Sequence, residues 1–327
     1  MHASSWQSRI REESAVNDVT LPKLIATSVV RGSQQGESHG GVYTIDFAKQ
    51  DGVQRLDWNT ADIDWEGRGA DRGLRGVAFD GDDIYIAASD ELFVYDREFS
   101  RLRSFRNRYL KHCHEICRKD RMLFVTSTGF DSLMAFNLDS SRFEWGFHLQ
   151  RVGTRWTGHT FDPQGEVGPR PVNDFHINMV HVDGTGIYLG GLKINALLHI
   201  NNQMQVSVVC DLPGGTHNAR PWLNGVVFND TDSDSVRYVG RDGVEKAFKI
   251  VSYDESQLQF TGVDDLNIAR QAFGRGLCPV GERFIAAGSS PSTITLYDVV
   301  ANQTVGSVNL SMDIRNAIHG LEVWPFD

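Results

Sequence analysis

Long apolar runs are absent from this chain of 327 residues. No run approaches the roughly 18 consecutive apolar residues that a membrane-spanning helix needs. The first 17 residues are polar and do not resemble the apolar core of a secretory signal. We therefore expect a cytoplasmic protein with no membrane partner, and we expect residues 1–20 to form a flexible tail.

Basic clusters and paired cysteines are also lacking. The net charge is −10 at pH 7, and no block of Lys or Arg stands out, so nucleic acid is not an expected partner. The four cysteines form no C-x-x-C pair, and we expect small buried thiols rather than disulfides. They are Cys113, Cys117, Cys210 and Cys278.

Proline is scarce and helical periodicity is absent. The chain has nine Pro but 32 Gly, a composition that suits many tight turns. Its apolar runs are mostly four to seven residues long and are separated by turn-forming residues, as at 74–79, 84–88, 92–95 and 102–105. Runs of this length favour β-strands over helices. The sequence therefore predicts an all-β protein.

A repeated pattern organises most of the chain. Six times, a single His or Arg stands at the head of a short apolar run that ends at a turn, and in four cases the next run begins nine residues after this head. Successive heads are 39 to 62 residues apart. In chain order the heads are Arg75, His114, His176, His217, Arg275 and His319.

The repeat predicts a six-bladed β-propeller. The shorter intervals accommodate one blade of four short strands each, and radial repetition of blades protects sheet edges. Only one short run follows the last head, whereas residues 21–59 supply three strands without a head. We therefore expect the C-terminal strand to complete the N-terminal blade and close the ring. The predicted domain is 21–327, with 150–173 as an insertion loop over one face.

A closed propeller would bring the six heads together, because the first strand of each blade lines the central channel. Neutral imidazoles that converge suit Zn²⁺, Fe²⁺, Cu²⁺ or Ni²⁺. Three His plus water would form an open catalytic site, and a fourth His would suit non-haem iron. The predicted metal ligands are His114, His176, His217 and His319, with His319 as fourth ligand or general base. The alternative is that these His are hydrogen-bonded channel residues that bind no metal.

Charged residues at and beside the heads suggest how a substrate would bind. Arg75 and Arg275 on one rim would grip a carboxylate or phosphate, or would instead pair with acids such as Asp174 or Glu115. Those two acids flank heads, and they could orient ligands or act as general bases. The plainer interpretation is that they are carboxylates at strand ends or in turns.

Several segments resemble a bacterial family of uncharacterised β-propeller proteins. The similar stretches are 113–116, 123–127, 132–133, 175–178, 217–222 and 275–277. The family has His-Ser-Pro-Arg where this chain has His217-Asn218-Ala219-Arg220. The resemblance implies the propeller fold and no particular activity.

The predicted site is similar to that of the peptidyl-hydroxyglycine amidating lyases. Those enzymes are six-bladed propellers that hold Zn²⁺ by three His near the axis and have Arg at the active site. Carotenoid-cleaving oxygenases hold iron by four His, but in seven blades with an apolar tunnel, which the two Arg disfavour. These likenesses concern the site and do not by themselves establish function.

Three functions fit these expectations. The first is a metal-dependent lyase or hydrolase that acts on a small anionic substrate in the channel. The second is a propeller that binds a ligand or another protein without chemistry. The third is a non-haem iron oxygenase that uses all four His.

Overall fold

The computed structural model describes residues 20–34, 36–59, 73–262 and 270–326, and the predicted flexible tail lies outside them except for Thr20. The described chain is almost entirely β-strand, with one short 3₁₀ helix at Glu255–Gln257. Its strands form six antiparallel sheets. The predicted all-β propeller of six blades is therefore confirmed.

The blades are numbered here from the N-terminus. Blade 1 contains β1 (Lys23–Val30), β2 (Gly41–Asp46), β3 (Asp51–Asp57) and β25 (Asn316–Val323); blade 2 contains β4 (Val77–Asp80), β5 (Asp83–Ala88), β6 (Glu91–Tyr95) and β7 (Arg101–Arg106); blade 3 contains β8 (Ile116–Lys119), β9 (Met122–Ser127), β10 (Ser132–Asn137), β11 (Arg142–Val152) and β12 (Arg155–Phe161). Blade 4 contains β13 (Ile177–Val182), β14 (Ile187–Gly191), β15 (Ala196–Ile200) and β16 (Val206–Asp211); blade 5 contains β17 (His217–Trp222), β18 (Gly225–Asp230), β19 (Ser235–Gly240) and β20 (Glu245–Lys249); blade 6 contains β21 (Phe273–Val280), β22 (Phe284–Ser290), β23 (Thr293–Asp298) and β24 (Gln303–Asn309).

The C-terminal strand closes the ring as predicted. β25 pairs antiparallel with β1, with Leu24 opposite Val323 and Ala26 opposite Leu321. β25 is the innermost strand of blade 1, which otherwise consists of the three N-terminal strands. Because this pairing covers the inner edge of β1, β25 takes the place next to the channel that the first strand has in the other blades.

Apolar residues pack between the blades, and the outermost strands are the most exposed. The inner strand β1 is buried along nearly its whole length, whereas the outer strand β7 is almost wholly exposed. This gradient follows from the ring, since the inner strands are surrounded by neighbouring blades. The core consequently lies around the axis.

The predicted insertion loop at 150–173 is wrong in its first half. Residues Arg155–Phe161 form β12, which pairs with the extended end of β11 and gives blade 3 a fifth strand. The Trp156 ring packs on Phe175 with centroids 5.0 Å apart, and this contact fixes the strand on the body of the propeller. Residues 162–173 connect β12 to blade 4.

No helix in the described ranges is long and apolar enough to cross a membrane.

Candidate functional site

The six heads lie near one end of the channel, which we call the head end. The innermost strands β25, β4, β8, β13, β17 and β21 contact one another in this order around the axis. Their backbones approach closely where glycine follows a head. A Cβ on Gly320 would lie 2.3 Å from the backbone oxygen of Arg75, and one on Gly276 would lie 3.1 Å from that of His319. Heads of neighbouring blades are therefore adjacent.

Three of the four predicted histidines lie close together. The His114 ring centroid is 5.1 Å from that of His176 and 6.0 Å from that of His319. His217 is near enough to His176 and His319 to interact with them electrostatically, but its ring packs on Phe273 with centroids 5.1 Å apart. The channel therefore groups His114, His176 and His319, with His217 to one side.

Hydrogen bonds define which nitrogen of the His114 and His217 rings carries the proton. Nδ1 of His114 lies 2.8 Å from the backbone oxygen of His112, and Nδ1 of His217 lies 3.0 Å from that of Gly215. A carbonyl oxygen only accepts, so these Nδ1 atoms carry the proton and each Nε2 keeps its lone pair. Nε2 of His319 is buried without a hydrogen-bond partner among the described residues. Histidines that bind metal through one ring nitrogen commonly donate the N–H of the other nitrogen to a carbonyl oxygen, as His114 and His217 do.

The spacing of the rings allows a test of metal binding. A metal about 2.1 Å from a ring nitrogen lies roughly 3.2 Å from the ring centroid, so two ligating rings at a tetrahedral angle have centroids about 5.2 Å apart. The His114–His176 spacing of 5.1 Å fits this value, and the His114–His319 spacing of 6.0 Å is wider. Within the described ranges, no group of three or more His, Cys, Asp or Glu is arranged to hold a metal ion. A metal shared by the three rings would therefore require side-chain rotation, and metal binding stays a prediction.

Three arginines lie near enough to the head end to lower the pKa values of its histidines, one more than the sequence predicts. Arg75 is 1% exposed and donates from Nη1 to the Cys113 backbone oxygen at 3.2 Å. Arg275 is 5% exposed and donates to Ser290 Oγ at 3.0 Å. Arg31, just after β1, also lowers the pKa values of His217 and His319 through its positive charge. The repeat does not predict Arg31, because this residue follows an N-terminal strand that has no head.

Burial and these arginines keep three of the histidines, His114, His217 and His319, neutral. Burial is the main cause that lowers the pKa of His217 to about 3, with further lowering by Arg275 and Arg31. Burial, followed by Arg75, lowers the pKa values of His114 and His319 well below the usual range. Neutral imidazole is the form that binds metals, so the electrostatics agree with the hydrogen bonds.

The depressed pKa of His217 predicts acid sensitivity. The unfolded chain takes up a proton near pH 6.5 whereas the folded chain does so near pH 3, so the unfolding free energy should fall as pH falls through this window. The maximum slope is about 1.4 kcal/mol per pH unit from this one residue. Urea unfolding at pH 7 and pH 5 should show a smaller pH effect in His217→Gln. The exposed His159→Gln serves as control, and equal pH effects in His217→Gln and the unsubstituted protein would contradict the prediction.

The two acids that flank heads occupy different environments. Glu115 is 6% exposed; it accepts a hydrogen bond from Asn218 Nδ2 at 2.8 Å and lies 3.7 Å from Arg220. Burial raises the pKa of Glu115 to about 7, against the opposite effect of Arg220. Asp174 is exposed in the segment before β13. Glu115 thus forms part of a buried polar network across the channel, and Asp174 lies on the surface.

Asp131, which the sequence did not indicate, holds the segment that carries His176. Its fully buried carboxylate accepts hydrogen bonds from the backbone N–H groups of Asp174 at 2.7 Å and of Phe175 and His176 at 3.2 Å. His176 has a φ of 51°, in the left-handed region that only a few per cent of non-glycine residues adopt. A carboxylate of blade 3 therefore fixes the entry to blade 4 and the place of His176.

Known structures share the fold of this chain. It is similar to a chain in the crystal structure of a nidogen/laminin complex, with a TM-score of 0.59 and 8% identity over 92% of this chain and 98% of that one. It is also similar to a protein of unknown function from Bacteroides caccae, with a TM-score of 0.55 and 11% identity over 94% of this chain and 100% of that one. At these identities the similarity shows the fold alone.

No protein-family model matches the sequence. No curated protein matches it either. The resemblances to an uncharacterised propeller family and to the amidating lyases therefore stay predictions, and the chain is placed as a six-bladed β-propeller.

Proposed function

We propose that the protein is a metal-dependent enzyme of the lyase or hydrolase type that acts on a small anionic substrate at the head end. The observation that carries the proposal is the close approach of imidazoles from three blades. His114 lies 5.1 Å from His176 and 6.0 Å from His319, measured between ring centroids. These residues are 62 and 205 positions from His114 along the chain; packing of blades 3 and 4 brings His176 to His114, and closure of the ring brings His319.

His114, His176 and His319 would hold the metal, with Zn²⁺ or Fe²⁺ as the leading candidates and Cu²⁺ or Ni²⁺ as the others. The tautomer of His114 supports this role, because the His112 carbonyl leaves its Nε2 able to donate a lone pair. A bound divalent metal supplies Lewis-acid polarisation of a carbonyl, or activation of water or a hydroxyl.

The remaining residues would bind and orient the substrate. Arg75 and Arg275 would hold its negative group, and Arg31 adds a third positive charge nearby. His217 would accept a hydrogen bond from the substrate at Nε2, since its Nδ1 faces the Gly215 carbonyl. Because the three arginines lie beside neutral imidazoles, an anionic substrate is favoured over a cationic one.

Elemental analysis of protein purified without an affinity tag or chelator tests the proposal. We expect about one Zn or Fe per chain, and a loss of at least about tenfold in metal affinity in His176→Asn. Asparagine is the suitable replacement because it tolerates the positive φ of 51° at this position. The matched control is His159→Asn, which removes an exposed imidazole from the outer strand β12 and should leave the metal content unchanged.

Protein that is free of metal in every preparation and does not bind added Zn²⁺ or Co²⁺ would overturn the proposal. A propeller that binds its ligand without chemistry would then be the better interpretation. Iron bound by all four His, rather than Zn²⁺, would favour the oxygenase.

A further inference from the structure

One of the six interfaces between blades is less well filled than the others. Every interface contains one cluster of buried apolar residues, and among the described residues five clusters have 11 to 16 members. The cluster between blades 4 and 5 has only six. Its members are Met179, Leu197, Leu212, Ala219, Val226 and Phe228.

The space that these residues do not fill is a cavity of about 450 Å³ that opens between the same two blades. This volume falls within the range of roughly 300–1,000 Å³ typical of small-molecule sites. Its wall is mainly apolar and includes two aromatic rings. The apolar part of the wall includes Tyr188, Val209, Cys210, Val226, Phe228 and Val239.

A gap of this kind is unfavourable in water. Protein interiors are normally packed to the density of organic crystals, and apolar surface that stays in contact with water is unfavourable. Val209, on the wall, is 37% exposed, and Tyr188, Cys210 and Val239 are all partly exposed. An apolar molecule in the cavity would supply the contacts that the interface lacks.

The charges in the cavity wall are balanced. Arg237 and Arg241 contribute two positive charges, and Asp211 and Glu245 contribute two negative ones. Arg237 is already paired with Asp230 at 3.1 Å and with Glu245 at 3.2 Å. Neither sign of ligand charge is therefore favoured, in contrast to the head end with its three arginines.

We infer that the cavity between blades 4 and 5 is a second ligand site, which takes a small uncharged apolar molecule, aromatic or aliphatic. The site lies on the flank of the propeller, and its lining includes none of the six heads. Its occupation would complete the packing between the two blades, so the ligand should also stabilise the fold.

Binding of N-phenyl-1-naphthylamine to the full-length protein tests the inference, since this uncharged probe fluoresces when it leaves water. We expect saturable binding, and at least a tenfold weaker affinity in Val239→Phe, because the larger side chain takes up part of the cavity. Val208→Phe is the matched control, because Val208 is 49% exposed on β16 and lies outside the cavity lining. Unsaturable binding, or equal affinity in folded Val239→Phe, would overturn the inference.

Two further measurements need no substituted protein. The probe should slow the alkylation of Cys210 by iodoacetamide, as measured by mass spectrometry. Cys117 serves as internal reference, because it is also partly exposed and lies outside this cavity. Unchanged alkylation of Cys210 at saturating probe would place the probe elsewhere and overturn the assignment. The sulfonated analogue of the same probe should bind no more tightly, and a tenfold preference for the anion would overturn the uncharged class.

Discussion

Replacement of Gly320 by alanine is expected to lower the free energy of unfolding by about 2–4 kcal/mol, because the new methyl group has no space. A Cβ at this position would lie 2.3 Å from the backbone oxygen of Arg75 and 2.5 Å from Oγ1 of Thr27. Thr27 Oγ1 also accepts the hydrogen bond from the Gly320 N–H at 2.9 Å, so the hydroxyl cannot move away without losing it. The clash falls where β25, β1 and the start of blade 2 meet.

Urea unfolding checks this expectation, and Gly184→Ala provides the control. Gly184 has no atom within 4 Å of the position of an added Cβ, so its substitution should change stability by only a few tenths of a kcal/mol. The Gly320 variant should also weaken any ligand binding at the head end, because the clash displaces the backbone of Arg75. If both variants unfold at the same urea concentration, the inner strands are less tightly packed than these distances indicate.

The sequence predicted the architecture because a propeller repeats one physical pattern many times. Four of the heads, Arg75, His114, His176 and His217, mark the start of an inner strand or the turn before it, whereas Arg275 and His319 lie within β21 and β25. The closing strand follows from a count of strands per blade. One predicted strand is left at the C-terminus and three at the N-terminus, and together they make one blade of four. Closure also explains why His114 and His319 lie 6.0 Å apart, a contact that no local pattern contains.

The details that the sequence did not predict depend on side-chain direction and on contacts between blades. His217 was grouped with the other histidines, yet its ring packs on Phe273 of the following blade. Arg31 does not stand at the head of a repeat, and only the fold brings its charge near enough to His319 to lower the pKa of that residue. The sequence predicts a loop in place of strand β12, because the Gly- and Arg-rich composition of 150–173 does not reveal that β11 is long enough to pair with it.

Replacement of Asp131 by asparagine is the second change with a large expected effect, and it separates the carboxylate from the backbone conformation. Both residues tolerate the positive φ of 43° at this position, so the backbone itself should not be strained. Asparagine has one oxygen where the carboxylate has two, and its amino group would face a backbone N–H of Asp174 or of His176. At least one partly buried donor would lose its acceptor, and the other donors would lose a charged one.

We expect Asp131→Asn to lower the free energy of unfolding by about 2–4 kcal/mol, because hydrogen bonds to a charged acceptor contribute about 1.5–3 kcal/mol each. The substitution should increase the hydrogen exchange rate of the amides of residues 174–176 more than that of other amides, whether or not the protein binds a metal. Asp120→Asn is the control, since Asp120 also has a positive φ, of 53°, but a carboxylate that is 79% exposed. Local exchange that is unchanged in Asp131→Asn would show that other contacts fix His176, and a stability loss spread evenly over the propeller would assign Asp131 to general packing instead.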